Sequence, residues 1–256
     1  MTGTPRHTLL LCRSREAGDA VEQAFADSDW ELTDFPTTRT NALDPADPAI
    51  ANAVRGAASF DLILFSSPHG VTAFAEAARY LRAALSGGTA VGVVGRRVEA
   101  ALADHLPQTE IRFRGGSLGD LLAAIAAQRG GARLLHVTSR QSLRHIAVAV
   151  PASLDLIQVP FYETITDDRH TAAELADFRE RRFDAVLTGS PSAFAGLLDL
   201  VGADAPLLES PLAVLGESTR DVITARGYDV AIVADTPSAE GLRRALDRHV
   251  AAHSHG

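Results

Sequence analysis

Lysine is absent from the 256 residues, and all 24 basic side chains are arginine. That excludes a Schiff-base lysine, pyridoxal phosphate chemistry through an internal lysine, and a Walker-type phosphate loop. The single cysteine, Cys12, can form neither an intramolecular disulfide nor a cysteine-based zinc site. Lying in an apolar run, it reads as an inert buried thiol. No apolar stretch approaches the ~18 residues of a membrane span. The run Leu9–Cys12 is too short for a signal-peptide core, so the cytoplasm is the expected compartment. Aromatic residues make up only 5%, none interleaved with a basic run, and the net charge is −8. Nucleic acid and membrane are therefore not expected partners. No Gly-x-Gly-x-x-Gly follows the first strand, and Gly-x-Ser-x-Gly and His-Glu-x-x-His are both missing. His249, His253 and His255 have no cysteine or carboxylate cluster beside them and read as a solvated tail rather than a metal clip.

What the chain does contain is a repeat. Phe60–Pro68 (FDLILFSSP) returns as Phe183–Pro191 (FDAVLTGSP), Ala90–Gly95 as Pro211–Gly216, and Leu9–Arg15 as Leu134–Arg140. Phe35-Pro36 and Val159-Pro160 each close a short apolar run in the same order, all at a spacing of roughly 124 residues. Apolar runs of strand length, bounded by turn residues, fall at Leu9–Cys12, Leu62–Phe65, Val91–Val94, Leu134–Val137, Ala185–Leu187, Leu212–Leu215 and Val230–Val233. Such runs predict buried parallel strands. Alanine- and leucine-rich stretches at Val71–Leu85, Val98–His105, Leu118–Gln128, Ala172–Arg182 and Ala239–Val250 predict helices between them. The alternation defines an α/β fold class with two similar parallel-sheet units.

Polar residues gather where strands give way to helices: Ser66-Ser67-Pro68-His69-Gly70 and Ser190-Pro191-Ser192 in the two copies, Gly95-Arg96-Arg97 and Gly216-Glu217-Ser218-Thr219 one strand further on. Gly115-Gly116-Ser117 and Thr236-Pro237-Ser238 precede the last helix of each copy. Small residues there expose backbone N–H groups that, with the helix dipole, favour anions. Ligands of open parallel sheets sit beyond these strand ends. Ser66, Ser190 and Ser218 read equally as helix N-caps. Arg96-Arg97 and Arg179–Arg182 read as solvated helix faces, although an arginine beside such a site could pair with a carboxylate.

Taken in order, these motifs resemble the uroporphyrinogen-III synthase family over about residues 8–250. The carriers are Cys12-Arg13, Phe65-Ser66-Ser67-Pro68, Thr188-Gly189-Ser190-Pro191, Leu215-Gly216-Glu217-Ser218-Thr219, Tyr162-Glu163-Thr164 and the ending Ala234–Leu242. Val98, Thr188 and Gly189 depart from the family pattern. The resemblance implies a discontinuous cut, with residues 1–36 plus 165–256 as one α/β domain and 41–160 as the other. Residues 37–40 and 161–164 would form a two-stranded β linker, and both are β-prone.

It also implies an activity: cyclisation of hydroxymethylbilane, with inversion of the last pyrrole ring and loss of water, in tetrapyrrole (haem) biosynthesis. Tyr162, on the linker, would be the general acid. The substrate carboxylates would be held by Arg13, Ser66, Ser67, Ser139, Arg140, Ser190, Ser192, Gly216, Ser218 and Thr219. No metal or organic cofactor is expected, because the pyrroles supply the electrons. The implied state is a monomer that meets the preceding pathway enzyme at most transiently. The competing class is a non-catalytic ligand-binding or regulatory protein of the same fold.

Overall fold

The computed structural model describes residues 7–83, 89–129, 131–145 and 149–253. The chain divides into two compact units, one made of the residues up to Thr40 together with those from Ile165 onward, the other of Asn41–Thr164. No helix among the described residues is long and apolar enough to cross a membrane.

The first unit contains β1 (His7–Ser14), α1 (Ala20–Phe25) and most of β2 (Trp30–Ala42). The middle segment then supplies α2 (Pro48–Arg55), β3 (Leu62–Phe65), α3 (Pro68–Tyr80), β4 (Ala90–Val94), α4 (Arg96–His105) and β5 (Glu110–Gly115). It continues through α5 (Leu118–Gln128), β6 (Ala132–Ser139), α6 (Arg140–His145) and most of β7 (Leu154–Thr166). The chain returns to the first unit with α7 (Ala172–Glu180), β8 (Ala185–Thr188), α8 (Pro191–Val201), β9 (Leu212–Val214), α9 (Glu217–Thr224), β10 (Ile232–Val233) and α10 (Ala239–His253).

Within the first unit the strand order is β10-β9-β8-β1-β2, and every neighbouring pair is parallel. Within the second it is β7-β6-β3-β4-β5, again all parallel. Alternation along each strand sorts the core into two layers. In the first unit Leu10, Cys12, Phe35 and Val186 pack with Phe194 and Leu197 of α8, while Leu9, Leu11, Ala185 and Leu187 pack with Leu242 and Leu246 of α10. In the second, Ile63, Phe65, Val91 and Val137 pack with Val71 and Phe74 of α3, and Leu62, Leu64 and Leu134 pack with Leu121 and Ile125 of α5.

Both long strands carry an irregularity just after a proline. Arg13 aligns with Pro36 but Ser14 with Thr38, and Thr138 aligns with Pro160 but Ser139 with Tyr162. Proline offers no N–H to the ladder, and a bulge at that point turns the next residue to a new direction. In the second unit that residue is Tyr162.

Several boundaries differ from the sequence expectation. Strand β10 is confined to Ile232–Val233, because Val230 lies in the irregular approach to it. Strand β9 stops at Val214. Helix α3 starts three residues before Val71, since Pro68 at its first turn has the required φ and no N–H to satisfy. It ends at Tyr80, and Leu85 lies outside the described residues. Strand β5 was not foreseen: it alternates exposed and inward residues, with only Phe113 buried, so no apolar run announces it. The histidine tail is in part helical, since α10 continues through His249 to His253, with His253 Nδ1 2.7 Å from the His249 carbonyl oxygen. His255 lies outside the described residues.

Candidate functional site

In the second unit the carboxyl ends of β3, β6 and β7 bring two hydroxyl-rich groups together. One is centred on Tyr162. The bulge after Pro160 directs its ring into the core layer shared with α3, where it is 9% exposed. Gly70 of α3 lies beside it: a Cβ there would meet the Tyr162 ring at an ordinary 3.6 Å but crowd Val137 at 3.3 Å. The hydroxyls of Ser67 and Ser139 are close enough to act on the phenol oxygen. Burial pushes its pKa above the ordinary tyrosine value, against the opposing pull of those two hydroxyls. The group is thus a neutral, proton-bearing phenol at any moderate pH.

Ser67 is the N-cap of α3 and accepts from the His69 N–H at 3.2 Å. Ser139 accepts from the Ser142 N–H at 3.1 Å, and its hydroxyl lies 2.9 Å from that of Ser142. Arg140 pairs with Glu163 at 3.4 Å and remains half exposed. Gln141 acts as a short substitute strand, donating to the Thr164 carbonyl at 2.6 Å and accepting from the Thr164 N–H at 3.1 Å. The second group joins Ser66, His136 and Gln158, and sequence reasoning missed its histidine. His136 interrupts the apolar run Leu134–Val137 of β6, and only the register brings it opposite Gln158.

In the first unit the corresponding strand ends hold Ser190, Ser192, Gly216, Ser218 and Thr219. Ser190 is the N-cap of α8, accepting from the Ala193 N–H, and its hydroxyl lies 3.1 Å from that of Ser192. Gly196 lets α8 settle on β2, since a Cβ there would sit 2.3 Å from the Thr37 carbonyl oxygen. The N-cap expectation holds for Ser190 but not for its two companions. Ser67 rather than Ser66 caps α3, and Gly216 rather than Ser218 caps α9, leaving Ser218 and buried Thr219 inside the first helical turn.

Arg13 is differently employed than expected. Its guanidinium is bound to Glu22, to Asp34 at 2.9 Å and to the Gly18 carbonyl at 3.1 Å, and the side chain is 12% exposed. Every face of that charge is engaged within the unit, so Arg13 braces β1 against β2 and α1 instead of presenting a free cation. Two arginines that the sequence did not single out lie on the fully buried Asp167: Arg15, and Arg169 through Nε at 2.9 Å. Burial alone would raise the Asp167 pKa, but the hydrogen bonds from Arg169 and Arg15 win and bring it down to about 2. Cys12 is fully buried, with its thiol pKa pushed up by desolvation and by Asp34, as befits an inert group. Among the described residues no cluster of three or more His, Cys, Asp or Glu is placed to hold a metal ion.

This is an open parallel-sheet α/β protein whose hydroxyls and helix N-termini gather at the carboxyl ends of the strands. More narrowly, residues 19–244 match the model of the uroporphyrinogen-III synthase HemD family, and the chain belongs to that family. Among solved structures, the chain is similar to uroporphyrinogen-III synthetase from Helicobacter pylori, with a TM-score of 0.63 and 14% identity over 96% of this chain and 99% of that one. It is also similar to a mutant uroporphyrinogen III synthase from Thermus thermophilus, with a TM-score of 0.52 and 16% identity over 96% and 99%. At these identities the likeness concerns the fold. No curated protein matches the chain in sequence.

Proposed function

We propose that this protein is a uroporphyrinogen-III synthase, closing hydroxymethylbilane with inversion of the last pyrrole ring and release of water. The observation that carries this reading is the family match across residues 19–244. The proposed domains are residues 1–36 with 165–256, and residues 41–160, with 37–40 and 161–164 as linking strands.

The chemistry asks for a proton at the departing hydroxyl, a grip on a flexible polycarboxylate, and exclusion of water from a reactive azafulvene. Tyr162 supplies the first. Its phenol keeps its proton at neutral pH and transfers it as the C–O bond breaks, so that water leaves. The proton released when the closed ring regains aromaticity returns to the phenolate, and the balance is one water lost with no net redox change. Ser66, Ser67, Ser139, Ser190, Ser192, Ser218 and Thr219, with the N–H groups beside Gly216, are the proposed carboxylate holders, and half-exposed Arg140 adds a cation. A net charge of −8 does not oppose this, because local donors govern binding while net charge acts mainly on solubility.

The 9% exposure of Tyr162 favours a second reading, a non-catalytic ligand-binding relative. One assay separates the two. Supplied with hydroxymethylbilane, the synthase yields the type III isomer, whereas a non-catalytic protein leaves the spontaneous type I isomer.

A further inference from the structure

His136 is 0% exposed, in a strand whose neighbours Leu134, Leu135 and Val137 are also fully buried. An imidazole in such surroundings is costly unless both ring nitrogens are satisfied. Both are. Nε2 lies 2.9 Å from the Ser66 hydroxyl oxygen, and Nδ1 lies 3.0 Å from the amide nitrogen of Gln158. The Gln158 amide is oriented with its nitrogen toward Nδ1, and in that orientation Nδ1 accepts and the neutral ring carries its hydrogen on Nε2. That hydrogen is donated to the Ser66 oxygen. Ser66 has a single hydroxyl hydrogen, which is therefore left for an acceptor other than the imidazole, at a residue that is itself only half-buried.

The other unit supplies the control. Leu11 pairs with Asp34 on one side and Leu187 on the other, in the register in which His136 pairs with Gln158 and Leu64. The residue after β8, in the place of Ser66, is Gly189. Leucine fills the site there and no hydroxyl follows. Packing alone does not ask for an imidazole at this position.

We propose that His136, held in one tautomer by Gln158, is a positioning residue that fixes Ser66 as an outward hydrogen-bond donor for a carboxylate of the ligand. An ionised carboxylate only accepts, so an outward donor suits it, while the opposite tautomer would make Ser66 an acceptor suited to a pyrrole N–H. Burial supports the arrangement by keeping the ring neutral, with a pKa lowered to about 4. The inference rests on the reading that Ser66 meets a substrate carboxylate.

Two measurements on the full chain test it. In ¹⁵N-histidine spectra, with His136 assigned by its loss in His136→Leu, Nδ1 should be unprotonated and Nε2 protonated. Gln158→Glu, whose carboxylate accepts from Nδ1–H, should reverse that pattern. With hydroxymethylbilane, Gln158→Glu and Ser66→Ala should each raise KM roughly tenfold with kcat nearly unchanged. The double variant should be no worse than Ser66→Ala alone. His136→Gln, whose amide nitrogen can still donate to Ser66, should keep KM near wild type, while His136→Leu should not. The leucine variant places at this site the residue that the other unit already carries there. An Nδ1–H tautomer in the wild type, or a Gln158→Glu defect that adds in full to that of Ser66→Ala, overturns the proposal. If the wild type makes only the type I isomer, the proposed function falls, and the tautomer measurement alone decides the role of His136.

Discussion

The two units share a strand order and a bulge after proline, yet they treat the same positions in opposite ways. Where the second unit carries Phe65 and Phe161, both packed against Phe74, the first carries Thr188 and Thr37. These threonines are fully buried, and their hydroxyls have no hydrogen-bond partner among the described residues. Where the second unit has the polar set Gln158, His136 and Ser66, the first has Asp34, Leu11 and Gly189. The first unit concentrates its buried charge at Asp167 instead, under Arg15 and Arg169. The backbone plan tolerates either solution because strand pairing depends on main-chain groups. The side chains at the strand ends are then free to diverge, toward a buried ion cluster in one unit and a histidine-centred hydrogen-bonded set in the other.

The sharpest way to break this contrast is at Asp167. Asp167→Asn removes the buried carboxylate that Arg15 and Arg169 hold from their half-exposed positions and should destabilise the protein by about 2–3 kcal/mol, the scale of its pKa displacement. Equilibrium urea unfolding measures this. With its pKa lowered from 3.8 to about 2, the stabilisation from Asp167 is complete above the unfolded value and is lost as pH falls from about 4 toward 2. An equally steep acid slope in the Asn variant would assign the acid sensitivity elsewhere.

His136 should set a second pH window. Its pKa falls from 6.5 in the unfolded chain to about 4 in the fold, so the unfolded state binds more protons between those values. Stability should decline by about 3 kcal/mol as pH drops through that window. His136→Leu should flatten the decline.

For activity, Tyr162→Phe should lower kcat by roughly 100-fold, the scale of general acid catalysis, while the melting temperature barely moves. Thr38, at the corresponding place after the other bulge, should give near-wild-type turnover as Thr38→Val. A Phe variant within about threefold of wild type removes Tyr162 as the acid. The smallest effect is expected at the unpartnered hydroxyls: Thr188→Val should stabilise by about 1 kcal/mol, because it removes a desolvated polar group at nearly constant volume. A loss of stability on that substitution would mean that the hydroxyl has a partner after all.

The sequence by itself determined the alternation of buried strands and amphipathic helices, because fully buried parallel strands need apolar runs and their helices need a 3.6-residue stripe. Leu62–Phe65 and Leu118–Gln128 were legible to the residue. So was the clustering of serines and glycines after the strands, since helix entry favours those side chains. It could not reveal β5, whose single buried Phe113 leaves no run to read, nor the engagement of Arg13, whose partners Glu22 and Asp34 come from a helix and a neighbouring strand. It could not single out His136 either. One histidine among leucines and valines carries no pattern, and its meaning arises only when strand pairing sets it opposite Gln158 and within reach of Ser66. Composition and period are local properties that a chain displays in its order of residues. Which polar atoms end up within 3 Å of each other depends on register and strand order, and those exist only once the sheet has formed.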